Sequence, residues 1–259
     1  VADFSEVTKS KPMKSLTVKL KKNSGRNSSW RITVRHQWGW HSKRYRLIDH
    51  YFLDKKGIEA KVETIEYDPC RSAYIALVCY KDWERRYVIA HKEMKVWDKI
   101  ITDEKVPLVS WNRMEIWNIP VWLQVYNIEL IVWQWSSTAR SAWAYATITS
   151  QDWEYAQIKL PSWEVRYVNK KCFATLWQVS NLDHSLIVLW KAWRSRWLWK
   201  RPTVLWKSMN PVDHPHGWGE WHCPIWMKAP KTPWWMLALW VKTRKNKKNT
   251  NKWILKRRK

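Results

Sequence analysis

The chain has 259 residues, 47 Lys and Arg against 22 Asp and Glu, and a formal net charge of +25. With an isoelectric point near 10.0, it calls for a large polyanion as partner, because neutralised phosphates release counterions. No run of about 18 apolar residues is present, which excludes a membrane-spanning helix and leaves no membrane partner, and no signal-peptide pattern opens the chain.

Residues 1–36 read as a basic arm. Lys9, Lys11, Lys14, Lys19, Lys21, Lys22, Arg26, Arg31 and Arg35 occur with little apolar periodicity, the pattern of a segment ordered on a partner. Residues 37–110 follow as a first domain, with short β-type runs at 45–48, 62–67, 75–80 and 86–90 bounded by Asp, Pro or Trp. The stretch from Pro107 to Pro120 marks a boundary. Residues 111–188 carry a second set of runs, at 119–125, 144–148, 155–160 and 164–168. Only residues 169–175 and 192–196 predict short helices. Residues 189–259 form a Trp-, Pro- and Lys-rich extension that ends in Lys256-Arg257-Arg258-Lys259. Two small β-barrels with basic arms are expected, and both ends, residues 1–35 and 190–259, are expected to make few contacts with them. Cys70, Cys79, Cys172 and Cys223 form no C-x-x-C pair, which argues for a reducing compartment without a disulfide frame or a zinc ribbon.

One ratio is anomalous: 26 Trp against 5 Gly, where globular chains carry about 7% glycine. The tryptophans stand in turn contexts. Asp82-Trp83 separates two β-type runs where an Asp-Gly hairpin belongs, and Asp152-Trp153 and Ser162-Trp163 repeat the pattern. A type I′ turn needs positive φ, which the Cβ of Trp resists. Many Trp are therefore expected to stand for glycine, as when UGA codons, glycine in some bacterial lineages, are translated as Trp.

Several blocks carry a resemblance. They are Arg26-Asn27, Ile32-Thr33-Val34-Arg35-His36-Gln37, Tyr67-Asp68-Pro69-Cys70-Arg71-Ser72-Ala73, Tyr80-Lys81-Asp82, Asn118-Ile119-Pro120-Val121, Arg194-Ser195-Arg196-Trp197, Arg201-Pro202-Thr203-Val204 and Met209-Asn210-Pro211-Val212-Asp213-His214-Pro215-His216-Gly217. In this order the chain resembles the second protein of the bacterial large ribosomal subunit, from about Phe4 to Lys259. The family pattern starts somewhat before Val1, so a preceding segment is expected. Where that family has glycine, this chain has Trp30, Trp38, Trp40, Trp83, Trp122, Trp163, Trp177, Trp190, Trp193, Trp199, Trp206, Trp218, Trp221, Trp226 and Trp235. Trp197 and Trp234 fall where the family also has Trp.

The resemblance implies a mostly β fold, an oligonucleotide-binding (OB) type barrel followed by an SH3-like barrel, with long irregular basic extensions. It implies a structural constituent of the large subunit that binds ribosomal RNA, supports the peptidyl-transferase region and contacts the small subunit and neighbouring ribosomal proteins. The place would be the cytoplasmic ribosome of a bacterium, or alternatively a mitochondrial or plastid ribosome. No enzymatic activity and no cofactor are implied, any structural Mg2+ belonging to the RNA. A free OB-type nucleic-acid-binding protein is the alternative reading.

Among individual residues, Arg35, His36, His41, Lys43, Arg44 and Arg46 flank the Trp38-Gly39-Trp40 turn and suit a loop laid on RNA, with guanidinium forks on phosphates. Arg194, Arg196, Lys200 and Arg201 suit an irregular strand between RNA helices. Arg26, Arg140, Asn210, Lys242, Arg244 and Lys245 complete the basic set. Arg71 has two candidate partners, a phosphate or Asp68. His214 and His216, in Asp213-His214-Pro215-His216, invite three readings: close RNA contact, a general base beside Asp213, or zinc ligation with His222 and Cys223. RNA contact is preferred. Glu63, Glu66 and Asp68 lie together on a strand and its turn and make no convincing metal-hydrolase cluster.

Overall fold

Antiparallel pairing builds the sheets of this protein. The structure, a computed structural model, describes residues 2–218, 225, 227–239 and 241–258. The chain divides into two units: Val1–Lys21 with Ser42–Ala192 and Thr250–Lys259, and Lys22–His41 with Trp193–Asn249.

In the first unit, β1 (Thr17–Lys19) pairs with β2 (Arg44–Arg46). Then β3 (Ala60–Glu66), β4 (Ile75–Tyr80), β5 (Arg85–Ile89) and β6 (Lys99–Ile100) form a four-stranded sheet in the order β5-β4-β3-β6. The run Ile75-Ala76-Leu77-Val78 is apolar on both faces because both faces are covered. Ala76, Val78 and Tyr80 pack with Val62, Ile65 and Val88, while Ile75, Leu77 and Tyr87 pack under Met13 and Leu16. The period-2 pleat sorts the two sets.

The second barrel follows. Its strands are β7 (Arg113–Glu115), β8 (Gln124–Tyr126), β9 (Ala146–Gln151), β10 (Tyr155–Lys159), β11 (Val165–Asn169) and β12 (Phe173–Leu176). With β13 (Ile254–Lys256) they form a seven-stranded sheet in the order β13-β11-β10-β9-β8-β12-β7. Met114, Ile116, Val125, Ile148, Ile158 and Val168 fill its interior. The architecture is mostly β, an OB-type barrel followed by an SH3-like barrel. Among the described residues no helix is long and apolar enough to cross a membrane.

Three expectations need correction. No helix forms over 169–175; Phe173–Leu176 is a strand, buried along its length and paired with β7 and β8. The run 119–125 is not one strand, since pairing starts only at Gln124 after a 3-10 turn at Ile116–Asn118. The ends also make more contacts with the barrels than expected. Thr8 N donates to Ile65 O and Ile65 N to Thr8 Oγ1, both at 2.9 Å. Met13 N donates to the Tyr87 hydroxyl at 2.9 Å, which itself donates to the buried Glu66. At the other end β13 pairs with β11, and Trp253 lies against Tyr155.

Among its described residues the second unit carries one short α-helix, α1 (Ala192–Trp197), whose first residue belongs to the first unit; this is the helix predicted at 192–196. The other described residues of this unit are mostly irregular, with a 3-10 turn at Trp206–Ser208 and backbone pairing of residues 36–38 with 199–201.

Among the described residues thirteen tryptophans have positive φ: Trp30, Trp83, Trp97, Trp111, Trp122, Trp133, Trp143, Trp163, Trp177, Trp190, Trp199, Trp218 and Trp235. The turn type differs from expectation. Tyr80 N bonds Glu84 O and Trp83 N bonds Tyr80 O, a three-residue hairpin loop whose last residue alone is left-handed. Leu160 to Glu164 repeats it around Trp163. Trp153, at the tip between β9 and β10, is not left-handed, and neither are Trp197 and Trp234. Trp221 and Trp226 lie outside the described residues.

Candidate nucleic-acid interface

In the first unit Arg46, Arg71 and Lys43 stand near one carboxylate, Asp68, with Arg44 in the same strand as Arg46 and Arg140 beside Arg71. The turn after β3 buries Asp68 completely. Its Oδ1 accepts Cys70 N at 2.8 Å and its Oδ2 accepts Arg71 Nε at 2.9 Å. Arg46 Nη1 stands 4.0 Å from Asp68 Oδ1 and donates to Arg44 O at 2.9 Å. The internal partner of Arg71 is thus present. Its other edge, however, turns outward: Nη2 reaches the Tyr45 hydroxyl at 3.2 Å, with the guanidinium 5.5 Å from the Tyr45 ring centre.

Arg140, from the second barrel, makes no ion pair among the described residues. Burial and then the Arg71 charge push its pKa down. His50 is pushed down to about 4, first by burial and then by Arg140 and Arg71, and its Nδ1 is buried without a partner. Burial also lowers Lys43, against the opposing pull of Cys70 and Asp68. Cations that depress one another's charge form a site where an arriving anion is favoured. Tyr45 and His50 belong to this cluster and sequence reasoning missed them. The one available signal was position: Tyr45 stands between Arg44 and Arg46, and His50 four residues beyond Arg46.

The second unit unites two sets that are far apart in sequence. Arg201 N donates to His36 O at 3.0 Å and Trp38 N to Trp199 O at 2.9 Å, while His36 Nδ1 lies 3.1 Å from Pro202 O. The loop carrying Arg35, His36 and His41 therefore lies along the segment carrying Arg194, Arg196, Lys200 and Arg201. Arg196 Nη1 donates to Lys200 O at 3.2 Å, and the Arg201 guanidinium sits 4.7 Å from the Trp38 ring. Arg35 stands 6.0 Å from the ring of Trp234, and Arg26 bonds Ser24 O within its own turn. Lys242 and Lys245 are exposed and Arg244 is half-buried.

His214 and His216 are buried. His216 N donates to His214 Nδ1 at 3.0 Å, and Lys231 N donates to His216 Nε2 at 2.8 Å. Asn210 is exposed, but its carbonyl accepts from Asp213 N and His214 N. A Cβ on Gly217 would come within 2.4 Å of that carbonyl, so only glycine closes this loop. The accepting Nδ1 of His214 is occupied, and burial lowers its pKa further below the usual imidazole value, aided by His216 and Arg35. That is a loop-building arrangement rather than a poised base. Among the described residues no three His, Cys, Asp or Glu gather for a metal; the zinc candidates His222 and Cys223 lie outside them.

Two family models match the chain. The one described as "Ribosomal Proteins L2, RNA binding N-terminal domain" covers residues 13–102, and "Ribosomal Proteins L2, C-terminal domain" covers residues 111–235.

Proposed function

Because the chain belongs to the ribosomal protein L2 family, a ribosomal family that binds RNA, we propose that it is a structural constituent of the large subunit that supports the peptidyl-transferase region and the joining of the subunits, with no chemistry of its own. The observation that carries this is Arg140, which meets no counter-charge among the described residues and stands beside Arg71, itself held by Asp68. Two guanidiniums from different barrels crowd each other, and only the buried Asp68 offers a counter-charge to Arg71. Phosphate oxygens of folded RNA supply what is lacking, in the bidentate geometry that guanidinium favours.

The proposed contact set is the one read from the sequence: the first-unit cluster, the paired segments around His36 and Arg201, and the Asn210–His216 loop. Ribosomal RNA of the large subunit and neighbouring ribosomal proteins are its partners, with the small subunit met across the intersubunit face, in the bacterial cytoplasm or an organelle. The buried imidazoles of His214 and His216, each accepting a backbone N–H, support a role in shaping backbone against RNA over proton transfer.

The test is filter binding of the double variant Arg71→Gln/Arg140→Gln to large-subunit RNA across a salt series. Loss of two phosphate contacts lowers the slope of log affinity against log salt by about 2 and weakens binding by roughly tenfold or more. An unchanged slope removes this cluster from the interface.

A further inference from the structure

None of the described tryptophans belongs to the fully buried apolar core, which consists of Ile, Val, Leu, Ala, Tyr, Met and Phe with one Cys. Indole is the largest apolar side chain and normally contributes most to cores and interfaces. Here Trp83 and Trp163, in hairpin loops, are 81% and 68% exposed, and Trp190 and Trp218, in irregular segments, 77% and 88%.

Their backbone is the second, independent sign. Thirteen sit at φ between +52° and +91°, where an L-residue with a Cβ is disfavoured by roughly five- to thirtyfold per site and glycine is not. The third residue of a three-residue hairpin loop is the position glycine fills by default, and Trp83 and Trp163 occupy it.

A rival explanation would make these rings a stacking platform for RNA bases. The surroundings of Trp83 contradict it. Its neighbours Asp82 and Glu84 are carboxylates, both engaged by Lys55, and an acidic hairpin tip repels a polyanion.

We propose that the tryptophans at positive φ occupy glycine positions of the functional molecule, and that those on basic segments mark places where RNA backbone meets polypeptide backbone directly. Trp199 and Trp30 are the clearest of the latter. Trp199 is left-handed immediately before Lys200 and Arg201, and its carbonyl accepts Trp38 N. Trp30 is left-handed and 79% exposed beside Arg31. The main-chain N–H at position 199 is held by Arg196 O at 2.9 Å and that at position 30 by Asn27 O at 3.1 Å, so it is the indole that holds a phosphate away from the neighbouring cation and backbone, and glycine removes that obstacle. This second half rests on the RNA-binding reading; the first half does not.

Two measurements separate them. Peptide mass spectrometry of the protein isolated from its natural cells should find peptides spanning Trp83, Trp163 and Trp199 lighter by about 129 Da at each such site, the difference between the two residues. Peptides carrying the tryptophan mass overturn the proposal. The chain is also made in two full-length forms, as written and with glycine at all thirteen positions. The glycine form should melt at least about 10 °C higher and bind large-subunit RNA at least about tenfold more tightly. A lower melting temperature overturns the glycine assignment. A higher one with unchanged affinity overturns the backbone-contact half. Failure of both forms to bind RNA at all strikes the RNA reading instead.

Discussion

Asp68 receives three donors' worth of attention from Cys70, Arg71 and Arg46, so a single carboxylate organises the basic cluster that surrounds it. His50, beside that cluster, reports on its field. Its pKa is pushed down to about 4 from 6.5, by burial and then by Arg140 and Arg71. Between pH 6.5 and 4 the unfolded chain takes up a proton that the folded chain refuses, so this contribution is complete above pH 6.5 and lost as pH falls toward 4. His91, also held near 4 by burial, acts in the same direction. Together they predict a fall in unfolding free energy over that window of about 3 kcal/mol for each group, measured by denaturant titration at stepped pH. Bound phosphate near Arg71 and Arg140 raises the His50 pKa but leaves that of His91 where it is. Imidazole resonances followed by NMR with and without RNA check this, and an unmoved His50 would contradict it.

At the scale of elements, a buried ion pair within the second barrel, whose guanidinium also reaches the first barrel, gave no local sign in the sequence. Arg113 of β7 donates to Asn127 O at 2.8 Å and Ser136 Oγ at 2.8 Å, pairs with the fully buried Glu129, and lies over Phe52 of the first barrel. Replacing Glu129 with Gln leaves a buried guanidinium without its counter-charge and should cost about 3–5 kcal/mol of stability. The pair Arg113→Met with Glu129→Leu should recover most of it. A Glu129→Gln protein as stable as the parent in equilibrium unfolding would sink this account. The strand Ile75–Tyr80 was legible because four consecutive apolar residues need two buried faces. The strand Phe173–Leu176 was not, because Cys172-Phe173-Ala174-Thr175 has no period of its own, and its register against Arg113–Glu115 and Gln124–Tyr126 decides its conformation. Likewise nothing near Thr8, Met13 or Ile254 names the distant Ile65, Tyr87 or Arg166 with which each pairs. Of the candidate site, the basic residues were legible from charge and from the resemblance. Tyr45 and His50 were not, since only the fold brings Arg140 and Arg71 beside them. Limited proteolysis gives the matching prediction: once cut near residue 22, segment 2–21 stays with residues 42–192 on a native sizing column. Its release would show that the Thr8 and Met13 contacts do not hold it.

For the whole molecule, the decisive quantity is charge. A net +25 on 259 residues makes affinity for any polyanion strong at low salt, so low-salt binding to RNA discriminates nothing. What separates a ribosomal constituent from a free nucleic-acid binder is retention when nonspecific contacts are screened, because extended segments threaded into folded RNA cannot leave one contact at a time. The direct measurement is sedimentation of cell extract through a high-salt cushion, with the chain quantified in each fraction. It should travel with the large subunit at about one copy per particle and remain there after washing at about 0.5 M salt, where the Debye length falls to roughly 4 Å. Recovery of the chain in the free-protein fraction at that salt, with large subunits intact and lacking it, would contradict the assignment.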